Sequence, residues 1–525
     1  RRPVGSGDSG ADQVILDVNE LARGHEYYRV ENWAVSPNGK RVAFLADLRG
    51  QRRHGLRVRD IDSGVVLDDR VEGVADTVVW ADDDVLVFVM LDPMGRPSQI
   101  GRQRIGGPVR IVHAERDAAV TLAVVSTRGG DGVYVRRRGP ALDALAEVTA
   151  DGIRGLLPEL PEHRYRLRRG GGETFLLSDL GYPDYALRVA ENDGLADPGL
   201  WRLLHAPGAD NRLVDFEVFR THAVVLERGP EGHVLQVYDR ISRAMRAYPL
   251  AGAAEVAALV ANPDYDARAV RYRVSSLVLP SETRSLDLAT GRVETLSRQP
   301  VFGYRPSRYE TAARVIDARD GAAIPVTLAW RSDLFRAGDA PLYLIAYGAY
   351  GVALDPEFRP ELVSLLDRGF VIGIAHVRGG PARGRAWHSA GRRMAKRNTF
   401  NDFLDARDAL VEAGFGHPRR VFARGVSAGG LVVGYAANVA PQGFAGVIAH
   451  KPYVDMLTTL MDETQALSPS EVDEWGDPAD PVVFDFIRSI SPYDQLRRQA
   501  YPAVFATAAL QDSSVGYYEA LKWIQ

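Results

Sequence analysis

The chain has 525 residues, too many for one hydrophobic core, so at least two domains are expected, each with a sizeable interior. A net charge of −4, with 46% hydrophobic and 25% charged residues, is ordinary for globular proteins and argues against a nucleic-acid binder. Of the 64 basic residues only four are lysines (Lys40, Lys396, Lys451, Lys522), and the arginines are scattered, not clustered as a phosphate-tracking patch would be. The absence of cysteine excludes disulfides and thiolate metal sites. No apolar run reaches the roughly 18 residues of a membrane span, and no signal segment opens the chain, so the cytoplasm is the expected location and no membrane partner is expected.

The start Arg1-Arg2-Pro3 lacks a methionine and is not expected to be the native one; Gly5 to Gly10 reads as flexible, and Val14-Ile15-Leu16 as one isolated strand. From Trp33 a four-stranded unit follows: strands at 33–35 and 41–46 around Ser36-Pro37-Asn38-Gly39-Lys40, then 56–59 and 65–67. The cadence recurs from Val78, Ala119, Tyr165, Leu213 and Val256. These starts lie roughly 40 to 45 residues apart, the period of a propeller blade. Six units fall between Tyr28 and Leu296. A sandwich also yields many short strands, but even spacing over this length favours a β-propeller. The strand at 14–16 fits none of the six and is expected to end a blade whose other strands lie upstream of Arg1.

From about Tyr309 the pattern changes. A hairpin (313–318 and 324–330, turning at Asp320-Gly321) leads into the apolar runs 342–346 and 370–375, of the kind buried on both faces of a sheet. Helical stretches at 400–413, 431–439 and 482–488 alternate with further strands at 446–449 and 503–506. That alternation predicts a parallel sheet with helices on both faces. The expected division is a propeller at 12–305 and an α/β-hydrolase domain at 306–525.

Gly425-Val426-Ser427-Ala428-Gly429 lies between the run 420–423 and a helical stretch. A G-x-S-x-G between strand and helix lifts the serine hydroxyl clear of the sheet and needs small neighbours to make the turn. Ser427 is therefore the candidate nucleophile. A serine needs a base to take its proton and an acid to orient that base. Asp512 closes the last apolar run in the turn Gln511-Asp512-Ser513-Ser514, where the acid belongs. The last of eleven histidines is His450, so the triad cannot be completed in chain order within these residues. His450, beside Lys451-Pro452, reads as structural or substrate-facing, and His376 and His388 as packing or loop residues. One oxyanion donor is the N–H of Ala428, after the nucleophile. A second comes from the turn Tyr347-Gly348-Ala349-Tyr350-Gly351, between whose tyrosines these residues alone do not choose.

Seven stretches together resemble the prolyl oligopeptidase family of serine peptidases, and within it the oligopeptidase B type. They are Tyr347 to Gly351, His376-Val-Arg-Gly-Gly380, Asn398-Thr-Phe-Asn-Asp-Phe403, Gly425 to Gly430, Glu474-Trp-Gly-Asp-Pro478, Ser491-Pro-Tyr-Asp494 and Leu510-Gln-Asp-Ser513. The resemblance implies a seven-bladed propeller, its first blade incomplete here, capping an α/β-hydrolase domain. It also implies hydrolysis of short peptides after Arg or Lys with no metal or cofactor. Ser427 and Asp512 fall on the nucleophile and acid, and Tyr347 on the oxyanion tyrosine. Glu471 and Asp473 fall on the acidic pair of the first substrate subsite, Asp355 and Glu357 on that of the second. Members of the family continue past this point with the catalytic histidine; by this reading the sequence is short at both ends and is inactive as it stands. Alternatives are a related oligopeptidase or acylaminoacyl peptidase of other specificity, and a non-catalytic peptide-binding homologue. Two departures stand out: Pro381-Ala382-Arg383 where an acidic residue is usual, and His450-Lys451, whose added charge is expected to weaken an acidic subsite.

Overall fold

The computed structural model describes residues 13–67, 70–126, 132–139, 142–161, 163–462, 464, 468–512 and 514–525. Its first half is a succession of antiparallel blades, each packed on the next. Among the described residues there are six, starting with the strands Arg29–Val35, Val71–Trp80, Thr121–Ser126, Tyr165–Gly170, Arg212–Val218 and Glu255–Leu259. The last strand of the sixth is Val293–Arg298. Alternation along each strand sends aliphatic side chains into the spaces between blades. Val87, Val89 and Ile100 of the second blade thus pack on Val124 and Val135 of the third, and Phe175 and Leu177 of the fourth on Phe216 and Val225 of the fifth.

Two expectations are corrected in the first blade. Residues 65–67 supply only one bridge, Arg59↔Val66; the fourth strand is the start of Val71–Trp80, with Val71 opposite Leu56 and Val74 opposite His54. After a register shift the same strand becomes the innermost of the second blade, pairing Val78 to Trp80 with Leu86 to Phe88. The two blades are thereby one seven-stranded sheet. Residues 14–16 form no strand with any described residue; the Ile15 carbonyl accepts from Arg59 Nη1 at 3.0 Å. The segment at residues 5–10 lies outside the described residues.

The second half is a seven-stranded sheet in the order Tyr309–Asp317, Ala323–Arg331, Val371–Ala375, Leu342–Ile345, Val421–Val426, Gly446–His450, Ala503–Thr507. The four pairings from Val371–Ala375 to Ala503–Thr507 are parallel, but the first two are antiparallel, so the expected parallel sheet is mixed. The tight turn at Asp320-Gly321 leaves its two strands no other pairing. One face packs on the helices Arg397–Glu412 and Ala428–Val439 through Phe400, Phe403, Leu431 and Val432. The other, through Ile345, Ile372 and Ile374, packs on the helix Pro360–Leu366. The parallel strands end together at Val426, His450 and Thr507, a register that gathers the following loops along one edge of the sheet.

Candidate active site

Ser427 caps the helix Ala428–Val439 at φ 53°, ψ −122°, a conformation that non-glycine residues avoid and that here turns the strand sharply into the helix. Two glycines permit the turn. A Cβ on Gly425 would stand 2.0 Å from the carbonyl oxygen of Gly429, and one on Gly430 would stand 2.4 Å from Pro452 Cβ. The strained residue is over-determined by its backbone bonds: its N–H donates to the His450 carbonyl (3.0 Å), and its carbonyl accepts from Gly430 (2.7 Å) and Tyr453 (3.0 Å). Ala428 is the first residue of the helix, so its N–H has no intrahelical acceptor.

The Tyr347 hydroxyl lies beside the Ser427 side chain, and burial, then Glu471 and Glu474, push its pKa up, so it stays protonated. This separates the two tyrosines of the turn. Tyr350, at φ 57°, instead bonds Glu471 and accepts from Trp475 Nε1 at 3.1 Å. Lys396 anchors the turn from behind: fully buried, it donates to the carbonyls of Gly348 (2.5 Å) and Gly391 (3.1 Å).

Asp512 has an almost enclosed side chain, 8% exposed. Its Oδ1 accepts from the N–H groups of Ser514 (2.8 Å) and Val515 (3.2 Å), and its Oδ2 meets Lys451 Nζ at 2.6 Å. Burial alone would raise its pKa; Lys451 and the backbone donors outweigh it and hold the carboxyl below its ordinary range. Lys451, expected to weaken an acidic subsite, is placed on Asp512. His450 points its Nδ1 at Thr507 Oγ1 (3.0 Å) and packs edge-on to Phe505. His376 is bonded to Thr327 and His388 to Glu474. Ser513 lies outside the described residues.

On the helix Ser468–Trp475, Glu471 and Asp473 are two residues apart and point to different faces. Asp473 is bound to Arg393 (2.8 Å) and Arg392 (3.3 Å). Glu471 shares its face with Glu474, three residues on, a partner that helical spacing would have found. Glu471 accepts from Trp475 Nε1 (2.6 Å) and Tyr350, both neutral, and burial followed by the charge of Glu474 raises its pKa. Glu474 accepts from His388 (2.8 Å), with Lys396 3.8 Å away. Asp355 and Glu357 each hold an arginine of the propeller, Asp355 with Arg228 (2.5 Å) and Glu357 with Arg273 (2.7 Å). A small cleft, open on one side, lies against the turn, lined by Tyr347, Val352, Asp355, His376, Pro381 and Arg228.

A bladed propeller over an α/β-hydrolase sheet, with a serine elbow at the strand ends and an enclosed carboxylate held by Lys451 from the neighbouring strand end, defines a class of propeller-capped hydrolases. The comparisons agree: residues 1–299 match the prolyl oligopeptidase N-terminal beta-propeller domain and residues 356–525 the prolyl oligopeptidase family, and the chain belongs to that family of peptidases. Dipeptidyl aminopeptidase BI of Pseudoxanthomonas mexicana is 34% identical over 99% of this chain and 73% of its own length. Protease 2 of Moraxella lacunata is 30% identical over 98% of this chain and 75% of its own. Oligopeptidase B of Leishmania major superposes with a TM-score of 0.93 at 26% identity, covering all of this chain and 76% of that one.

Proposed function

We propose that the protein is a serine oligopeptidase that cuts short peptides on the carboxyl side of Arg or Lys. The observation that carries the reading is Glu471: a largely enclosed carboxylate near Tyr347, hydrogen-bonded among the described residues only by the neutral donors Tyr350 and Trp475. A guanidinium or ammonium entering there would relieve the cost of burying that charge, whereas an apolar residue would leave it unmet. Ser427 Oγ attacks the scissile carbonyl, its proton passing to a histidine base oriented by Asp512. The oxyanion takes hydrogen bonds from the Ala428 N–H and the Tyr347 hydroxyl. The amine leaves with the proton, and water releases the acyl group from Ser427. The propeller above the cleft favours short peptides over folded proteins.

The test is hydrolysis of matched chromogenic peptides ending in Arg, Lys, Pro or an acetylated residue by the complete gene product. Arg and Lys should be preferred, and Glu471→Gln should lower kcat/KM for them by about 100-fold or more, the scale of a truncated buried ion pair. Preference for proline or acetylated residues, or an unchanged Glu471→Gln enzyme, would refute the specificity. Failure of a phosphonate to label Ser427 would refute the nucleophile.

A further inference from the structure

The propeller wall of the cleft carries one guanidinium more than its carboxylates match. Arg212 and Arg228 are directly opposed across the strands Arg212–Val218 and His222–Gly229, so their side chains leave the sheet on the same face as neighbours. Two like charges in that position repel, and only one is directly ion-paired: Arg228 reaches across to Asp355 and lines the cleft, while Asp355 and Asp184 act on Arg212 only through space. Arg212 has no ion pair or side-chain hydrogen bond among the described residues, and its Nε is shut off from solvent without a partner. Around it stand Arg166, bound to the Val214 carbonyl, and Arg385, paired with Asp179. Asp184 is engaged by the Arg385 backbone N–H, and Asp355 by Arg228. Four guanidiniums thus face three carboxylates. His233 and His376, the nearby imidazoles, are held neutral, each pushed down to about 3 by burial and then by the Arg228 charge. Burial lowers the pKa of Arg212 itself to about 10, with Arg228 adding to the effect. A guanidinium keeps its charge under these conditions, so the imbalance is met by an anion from outside.

We propose that Arg212, beside Arg228 on the propeller wall, is an anion subsite that takes a carboxylate of the bound peptide, its free C-terminus or an Asp or Glu side chain. The inference rests on the peptidase reading above. It adds a second point of recognition: Glu471 takes the cation of the substrate and Arg212 an anion, which favours short peptides carrying both. A guanidinium fork binds a carboxylate through two parallel hydrogen bonds, and enclosure raises their strength.

The experiment uses the complete gene product with Ser427→Ala, so that binding is read without turnover. Affinities are measured by calorimetry for an arginine-containing peptide with a free C-terminus, the same peptide amidated, and versions with Glu replaced by Gln. The carboxylate forms should bind at least about tenfold more tightly, and Arg212→Met should abolish that gain while leaving the neutral peptides unchanged. Loss on amidation assigns the C-terminus, and loss on Glu-to-Gln exchange assigns a side chain. Equal binding of charged and neutral peptides, or a gain that survives in Arg212→Met, overturns the proposal. So does a site where inorganic phosphate stabilises the protein through Arg212 but no peptide carboxylate does. Removing an unpaired, enclosed charge should leave the melting temperature of Arg212→Met at or above that of the parent, and Arg212→Lys, which keeps the charge without the fork, should retain part of the gain. The comparison is between matched peptides, so it stands even if cleavage after Arg is not observed.

Discussion

Two of the ion pairs that cross from the propeller to the hydrolase domain have similar lengths and very different surroundings. In Arg228–Asp355 the side chains are 15% and 31% exposed; in Arg273–Glu357 they are 43% and 44% exposed. Neutralising Glu357 with Glu357→Gln breaks a well-hydrated pair and should cost below about 1 kcal/mol. Asp355→Asn leaves Arg228 opposite Arg212 with no bonded carboxylate. Breaking a fully buried pair costs 3–5 kcal/mol, so with partial exposure about 2–4 kcal/mol is expected here. Amide hydrogen exchange along the domain interface reads the difference: each 1.4 kcal/mol is a factor of ten, so Asp355→Asn should speed exchange in His222–Gly229 by about 30-fold or more, and Glu357→Gln by less than about fivefold. The Asp355 carboxyl is enclosed, which alone would raise its pKa, yet Arg228 carries it below the ordinary 3.8. Its contribution is therefore present above pH 3.8 and lost as the pH falls through the lowered value. Equal effects of the two substitutions, or an interface indifferent to Asp355→Asn, would refute the link between exposure and strength.

Two further predictions concern the hydrolase domain. Gly430→Ala places a methyl 2.4 Å from Pro452 Cβ and 2.6 Å from its Cα, and should destabilise the domain by about 1–3 kcal/mol; Gly425→Ala, which meets the backbone oxygen of Gly429 at 2.0 Å, should cost more. Thermal melts rank them, and a Gly425→Ala protein that melts like the parent and still reacts at Ser427 would refute the steric account of the elbow. Buried Glu519 accepts from the N–H groups of Val454 (2.7 Å) and Asp455 (2.9 Å), and burial pushes its pKa up to about 7. The folded chain then holds a proton that the unfolded chain releases near 4.5, so the contribution is full below that pH and is lost as pH rises through 7, roughly 3 kcal/mol in all. Glu519→Gln should flatten the stability profile between pH 4.5 and 7; an unchanged slope in melts at pH 5 and 8 would assign the titration elsewhere.

How much of this was legible beforehand depended on the range of the interaction. Blade count, the hairpin at Asp320-Gly321 and the strand–elbow–helix around Ser427 rest on local periodicity and turn chemistry, and they read directly from the residues. The shared strand Val71–Trp80 did not, because where a long strand changes partners depends on which edge is free. That Asp473 is held by Arg392 and Arg393 was not legible either, since those partners lie some eighty positions earlier. The partners of Asp355, Lys451 and Arg212 are long-range: nothing in the text around residue 355 indicates that an arginine 127 positions earlier will meet it. Lys396 offered a faint signal, being one of four lysines in an arginine-rich chain.

The strand that belongs to two blades also bears on how the propeller yields. A pull on the first blade is passed through main-chain hydrogen bonds straight into the second, so the arc from Arg29 to Ala114 comes away as one panel. The four blades that follow are separate sheets, each able to tilt against its neighbour. A wall built this way has a stiff sector and a compliant one, and the compliant sector is the arc that carries Arg212, Arg228 and Arg273.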